Sequence, residues 1–210
     1  MSLLTMPLRR LLPLILSWAI FLSSLSIALS YRLYRSLEDV FAAEVVRFQS
    51  LALADELRQS SVDLTRFARI YVATGDEKFL KIFQDILDIR NGIKPRPIDY
   101  DRSYWDRLIA GNLLPTQTTG KKISLTDRMK ELHFSDKEFA LLATAQKNSD
   151  ALALIENRAF AALKGGTGEN PDLSTSPNPD LARKLLHDQA YLDAKAKILF
   201  PIDEFRASVN

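Results

Sequence analysis

The chain of 210 residues is 47% apolar and carries no cysteine, so it can bury a core but cannot use disulfides, thiol catalysis or cysteine-ligated metals. Its formal charge of +2 comes from Arg9 and Arg10, the only charges in the first thirty residues; the rest balances at 26 basic (28 − 2) against 26 acidic groups. A neutral domain with no basic run lacks the electrostatic footprint of a nucleic-acid binder.

The twenty residues "LLPLILSWAIFLSSLSIALS" (11–30) carry no charge. That is the length that crosses roughly 30 Å of hydrocarbon as a helix. Trp18 lies within this segment, and Tyr31 and Tyr34 follow where amphipathic rings settle at a membrane interface. A cleaved signal peptide is the rival reading, with small residues at Ala28-Leu29-Ser30. The length of the apolar run and the unbroken helical pattern after it favour an uncleaved anchor in the lipid bilayer. Arg32 and Arg35 nearly balance Arg9 and Arg10, so orientation rests on the free amino terminus. The expected plan is a cytoplasmic segment 1–10, a transmembrane helix 11–30 and an extracytoplasmic domain 31–210.

From Tyr31 to about Ala73 no Pro or Gly interrupts, and Leu37, Phe41, Val45, Phe48 and Leu51 recur at threes and fours. One helix therefore leaves the bilayer and enters the domain, until Gly75 ends it and Asp76 caps a short helix over 77–90. A long connection follows, "NGIKPRPIDYDRSYWDRLIAGNLLPTQTTGKK", with at most a helical turn near 104–110. It reads either as packing over the short helix or as a recognition lip. Ser124 with Asp127 opens another short helix. Ser135 with Glu138 forms a capping box, framed by Phe134 and Phe139 as a hydrophobic staple. The helix it starts runs to Lys164 and stops at Gly165-Gly166. After a Gly-, Pro- and Ser-rich loop, Asn178 caps a last helix that runs to about Ala207 and bends at Pro201. No strand alternation appears. The expected class is all-α: the transmembrane helix continues into an up-down, four-helix-bundle-like domain.

Catalytic chemistry has little to work with. His133 precedes the capping box; His187 reads as a hydrogen-bonded helix residue or, alternatively, a ligand or pH-sensing group. No metal-ligand spacing and no phosphate loop appears, so no catalytic residue, metal or cofactor is expected. Polar residues interrupt apolar faces in two places. Asp55, Arg58, Ser61, Thr65 and Arg69 fall at successive threes and fours on the first helix, with Arg66 one position aside. They form a solvated, internally paired face, or guanidinium forks and hydroxyls converging on a small anion, shared between two copies. The stripe Leu142, Ala145, Ser149, Leu152, Glu156, Ala159, Leu163 carries Ser149 and Glu156, and a shift of one residue substitutes Asn148. Such groups need partners; arginines of the first helix or Tyr191 are candidates, in a structural network or a site. The candidate ligand-binding set is Arg58, Ser61, Thr65, Arg66, Arg69, Asn148, Ser149 and Tyr191.

The segments "LTRFARIYVATGDEKF", "ILDIRNGIKPRPIDYDRSYWD", "HFSDKEFALLATAQKNSDALALIENRAF" and "LLHDQAYLDAKAKILFPIDEF" resemble, in order, the N-terminal extracytoplasmic sensor region of bacterial transmembrane signalling proteins. In that family the region precedes chemoreceptor, sensor histidine kinase or nucleotide-cyclase output modules. The resemblance spans residues 52–205. It implies a helical-bundle sensing domain on the periplasmic side of the inner membrane, acting as a homodimer on a small anionic or amino-acid-like ligand. A membrane-anchored helical protein–protein interaction module without a small ligand is the competing expectation. Only nine residues follow Pro201, whereas the family pattern continues to a second span and an output domain. The chain would then be the sensor end of a larger protein or a shortened relative.

Overall fold

A computed structural model describes residues 8–111, 120–132, 134–165 and 176–209, and every regular element among them is a helix. In chain order these are α1 (Leu8–Thr74), α2 (Glu77–Arg90), α3 (Tyr104–Ile109), α4 (Leu125–Glu131), α5 (Asp136–Lys164), α6 (Pro179–Leu185) and α7 (Gln189–Val209). His133 and most of the Gly- and Pro-rich loop before Asn178 lie outside the described residues.

The chain divides into two compact units between Arg47 and Phe48. The first contains the N-terminal part of α1. Among the described residues, α1 is the helix long and apolar enough to cross a membrane, a signature that an N-terminal signal sequence shares. Trp18, Phe21, Leu25 and Ile27 are exposed along it. Leu37, Phe41 and Val45 are exposed too. The continuous helix expected from the absence of Pro and Gly after Tyr31 is present.

In the second unit, α1 turns Leu53, Leu57, Leu64, Phe67, Ala68 and Tyr71 inward at helical spacing. It stops where Gly75 takes φ +69° and donates its N–H to the Tyr71 carbonyl. The Asp76 carboxylate then accepts the Lys78 N–H at 2.9 Å and starts α2. Phe67 stacks on Phe79 of α2, while Tyr71 and Phe83 both meet Phe160 of α5 edge to face. Beyond α2, Gly92 adopts φ +73° with its backbone against the cap of α4. A Cβ there would lie 2.6 Å from the Ser124 nitrogen, so only glycine lets the two segments meet.

Helix α5 opens with the expected capping box between Ser135 and Glu138. The Phe134 ring of the expected staple packs with Phe205 of α7, at 5.4 Å between ring centres. Small side chains at Ala145, Ala153, Ala159 and Ala162 are buried along α5, and this helix packs against α6 and α7. The single last helix expected from Asn178 onward is instead two. The chain breaks at residues 186–188, where the Leu186 N–H turns back tightly to the Arg183 carbonyl and the Asp188 carboxylate caps α7 by accepting the Tyr191 N–H at 2.8 Å. Pro201 stays inside α7.

Candidate functional site

The stripe of α1 divides by environment. Ser61 and Thr65 are buried; Arg58 is exposed to solvent. Ser61 Oγ lies 2.7 Å from Ser149 Oγ of α5, and Thr65 donates back to the Ser61 carbonyl. Arg69 spreads its Nε and Nη2 donors, at 3.1 and 3.0 Å, onto one oxygen, the Leu186 carbonyl freed by the α6–α7 break. Its guanidinium also sits over the Tyr191 ring. Arg66 points elsewhere, to Asp63 at 3.1 Å and Asp106 of α3 at 2.8 Å. The three arginines therefore do not converge.

Ser61, Ser149 and Tyr191 do come together in the interior, with two residues of opposite charge. Arg90, the last residue of α2, is buried and donates to Ser149 Oγ and to Asp150, each at 2.7 Å. Tyr191 donates to Glu156 at 2.7 Å, and both side chains are almost wholly buried. Burial pushes the Glu156 carboxyl up to about 7, against the pull of Tyr191 and the Arg90 and Arg69 charges. Burial, with the Glu156 charge, raises the Tyr191 phenol, and burial together with Arg69 lowers Lys195. Asn148 is separate from this group: its Nδ2 donates at 2.8 Å to the carbonyl of Lys197 in α7. His187 is exposed, with Nδ1 2.8 Å from the Arg183 carbonyl. These contacts describe an interior network whose donors reach protein acceptors, with the exception of Arg90 Nε, which is buried without a hydrogen-bond partner.

An open space exists elsewhere in the same unit. A cleft of about 310 Å³ lies between α1 and the loop that leads into α3. Five polar positions of α1 wall one side: Asp55, Glu56, Gln59, Ser60 and Asp63. Tyr100 and Trp105 face it from the other, their rings nearly perpendicular at 86°. Burial raises the Tyr100 phenol, whereas Trp105 is held in the core against Phe67.

Charge is distributed unevenly along this wall. Glu56 is held by two guanidinium groups, Arg96 at 3.1 Å and Arg128 of α4 at 2.8 Å. Asp55 is likewise held by two, Arg102 at 3.2 Å and Arg206 of α7 at 3.0 Å. Two turns along α1 the ratio inverts, since Asp63 and Asp106 share Arg66. Asp63 is only 3% exposed, and it accepts one hydrogen bond, from Gln59 to Oδ2. Its Oδ1 is near Arg66 Nη2 without hydrogen-bond alignment, and that nitrogen and Arg66 Nε are buried without a partner as well. Burial raises the Asp63 carboxyl, opposed by Gln59 and Arg66 and reinforced by Asp106.

The sequence left the loop open between packing over the short helix and a recognition lip; its Arg96, Tyr100 and Trp105 line the cleft. Of the α1 carboxylates opposite them, Asp55 belonged to the polar stripe singled out in the sequence. Glu56 and Asp63 lie outside the three-four stripe that drew attention to α1, and only the fold of the loop onto that flank reveals them. Among the described residues, no group of three or more His, Asp or Glu side chains is placed to hold a metal. No family model, curated protein or solved structure matches the chain.

Proposed function

We propose that the chain is the extracytoplasmic ligand-sensing module of a bacterial membrane signalling receptor. It is anchored by the apolar part of α1, folded around a four-helix-bundle-like core of α1, α2, α5 and α7, and active as a homodimer. The observation that carries this reading is the cleft at Asp55 and Glu56. Asp55 binds the α2–α3 loop through Arg102 and α7 through Arg206, so its carboxylate joins a ligand-sized space to a second helix. A small molecule that competes for the guanidinium groups around Asp55 changes how α7 is tied to α1. Helix shifts of about 1–2 Å are a common switching amplitude. The unsealed, charged cleft favours a small polar metabolite over a protein surface.

The test is a thermal-shift screen of the full chain in lipid nanodiscs against a broad panel of small metabolites. A ligand at a hundredfold excess over Kd stabilises the protein by about 2.7 kcal/mol. The expected outcome is a shift by at least one compound that Asp55→Ala diminishes; silence across the panel sinks the reading. Topology is checked separately with Gln84→Cys, an exposed position in a chain otherwise free of cysteine. A membrane-impermeant maleimide should label it in intact cells whose outer barrier is permeabilised, and labelling only after full lysis would place the domain on the wrong side.

A further inference from the structure

The interior network holds one group whose surroundings suit only one of its protonation states. Glu156 of α5 is 1% exposed, and it accepts a hydrogen bond from the Tyr191 hydroxyl of α7. Among the described residues no cation is close enough to form an ion pair with it. Three stand farther off, one from each neighbouring helix: Arg69 of α1, Arg90 of α2 and Lys195 of α7. Arg90 is committed to Ser149 and Asp150, and Arg69 to the Leu186 carbonyl. His187, at the α6–α7 break, is exposed and turned to the Arg183 carbonyl. A neutral carboxyl fits this arrangement. A carboxylate does not, because a charge buried without a close partner is costly. We infer that Glu156 is a proton-operated latch on the start of α7: when its carboxyl gives up a proton to solvent, Arg69 turns from the Leu186 carbonyl to the carboxylate and the α6–α7 break opens.

Arg69 is the cation placed to make this exchange. Its guanidinium lies over the Tyr191 ring, 5.3 Å from the ring centre, and the hydroxyl of that same ring is bonded to Glu156. Sliding across one ring face trades a neutral carbonyl for a charged acceptor, which makes the stronger hydrogen bond. Leu186 then loses both of the donors that Arg69 supplies to its carbonyl. Arg90 is less free, since turning away would strip Ser149 and Asp150 of a buried partner. Lys195 is a weaker candidate, because burial and the Arg69 charge both disfavour its charged form. Burial raises the Glu156 carboxyl to about 7, so the exchange falls near neutral pH. The latch is built from residues that do not line the cleft, and it stands whether or not a metabolite binds there.

The experiment is electron paramagnetic resonance of the full chain in nanodiscs, spin-labelled in separate samples through Ala190→Cys, at the start of α7, and Gln84→Cys, in α2. Both positions are exposed. From pH 6 to pH 8 the label at 190 should gain a mobile component, its ratio to the immobile one rising about tenfold. That is the factor for a carboxyl at about 7 in the closed form and at its ordinary 4.5 in the open form. The label at 84 should not change. In the Ala190→Cys protein, Glu156→Gln should flatten the profile and Arg69→Ala should leave the label mobile at both pH values. Lys195→Gln should move the transition to higher pH, since a cation that favours the carboxylate is gone. His187→Gln should leave the transition in place. A label at 190 that ignores pH, or one that changes in step with the label at 84, overturns the inference. So does a transition that survives Glu156→Gln or Arg69→Ala in a folded protein, or one that His187→Gln abolishes. Circular dichroism melts establish which variants fold; should Glu156→Gln or Arg69→Ala not fold, the parent profile and the Lys195→Gln displacement decide, and a transition that Lys195→Gln does not displace counts against the latch.

Discussion

Asn148 of α5 donates its side-chain amide to the Lys197 carbonyl of α7, the oxygen that Pro201 leaves without its helical partner. A proline four residues on has no N–H to give, and a neighbouring helix supplies one instead. The contact explains why a polar residue interrupts α5 one position away from the buried stripe. Asn148→Ala should cost about 1 kcal/mol in chemical denaturation. In a Pro201→Ala background, where the backbone N–H returns, the same substitution should cost much less. Equal costs in both backgrounds would show that the amide does not act through the proline gap.

The fork from Arg69 to the Leu186 carbonyl makes a second prediction. Both donors meet one oxygen at the α6–α7 break, and a lysine offers a single point charge without that planar geometry. Arg69→Lys should therefore destabilise by about 1–2 kcal/mol and speed hydrogen exchange of the amides at 187–191 more than elsewhere. Uniform exchange across α5 and α7 would contradict this.

Glu156 sets a pH dependence. Burial raises its carboxyl from the ordinary 4.5 to about 7, so between those values the native chain keeps a proton that the unfolded chain has released. Its contribution to stability is thus unfavourable at high pH, fading as pH falls through 7 and gone below 4.5. Glu156→Gln, which can still accept from Tyr191, should stabilise the protein relative to the parent at pH 8 by on the order of 3 kcal/mol, and much less at pH 5. Parallel stability curves for the two proteins across pH 5–8 would refute the assignment.

Gly92 and Gly75 share a left-handed backbone but differ in surroundings. Gly75→Ala enters open space and should cost about 1–2 kcal/mol, the conformational penalty alone. Gly92→Ala adds a 2.6 Å approach to the Ser124 backbone, so it should cost clearly more and loosen the α4 cap. Urea titrations of the two variants make the comparison, and equal losses would mean the loop yields without cost.

Helix positions and ends were readable from local chemistry. The cap at Asp76, the hydrogen bond from Asp127 to Ser124, the box at Ser135 and Glu138 and the proline entry after Asn178 all act within four residues. The apolar run of 11–30 needed no more than its length to suggest a span. The break at 186–188 was hidden because no glycine or proline marks it; Arg69, 117 residues earlier, supplies the donor that makes it tolerable. Which face of α1 borders the cleft and which joins the interior network was equally undetermined. Arg58, Arg66 and Arg69 look alike on a helical wheel, yet one meets water, one meets acids and one meets a carbonyl. Sequence periodicity reports which side of a helix is apolar, an intrinsic property of the segment. What a polar group on that helix touches depends on chain folded back from far away, so only the tertiary structure could join Asp63 and Glu56 to the aromatic loop across from them.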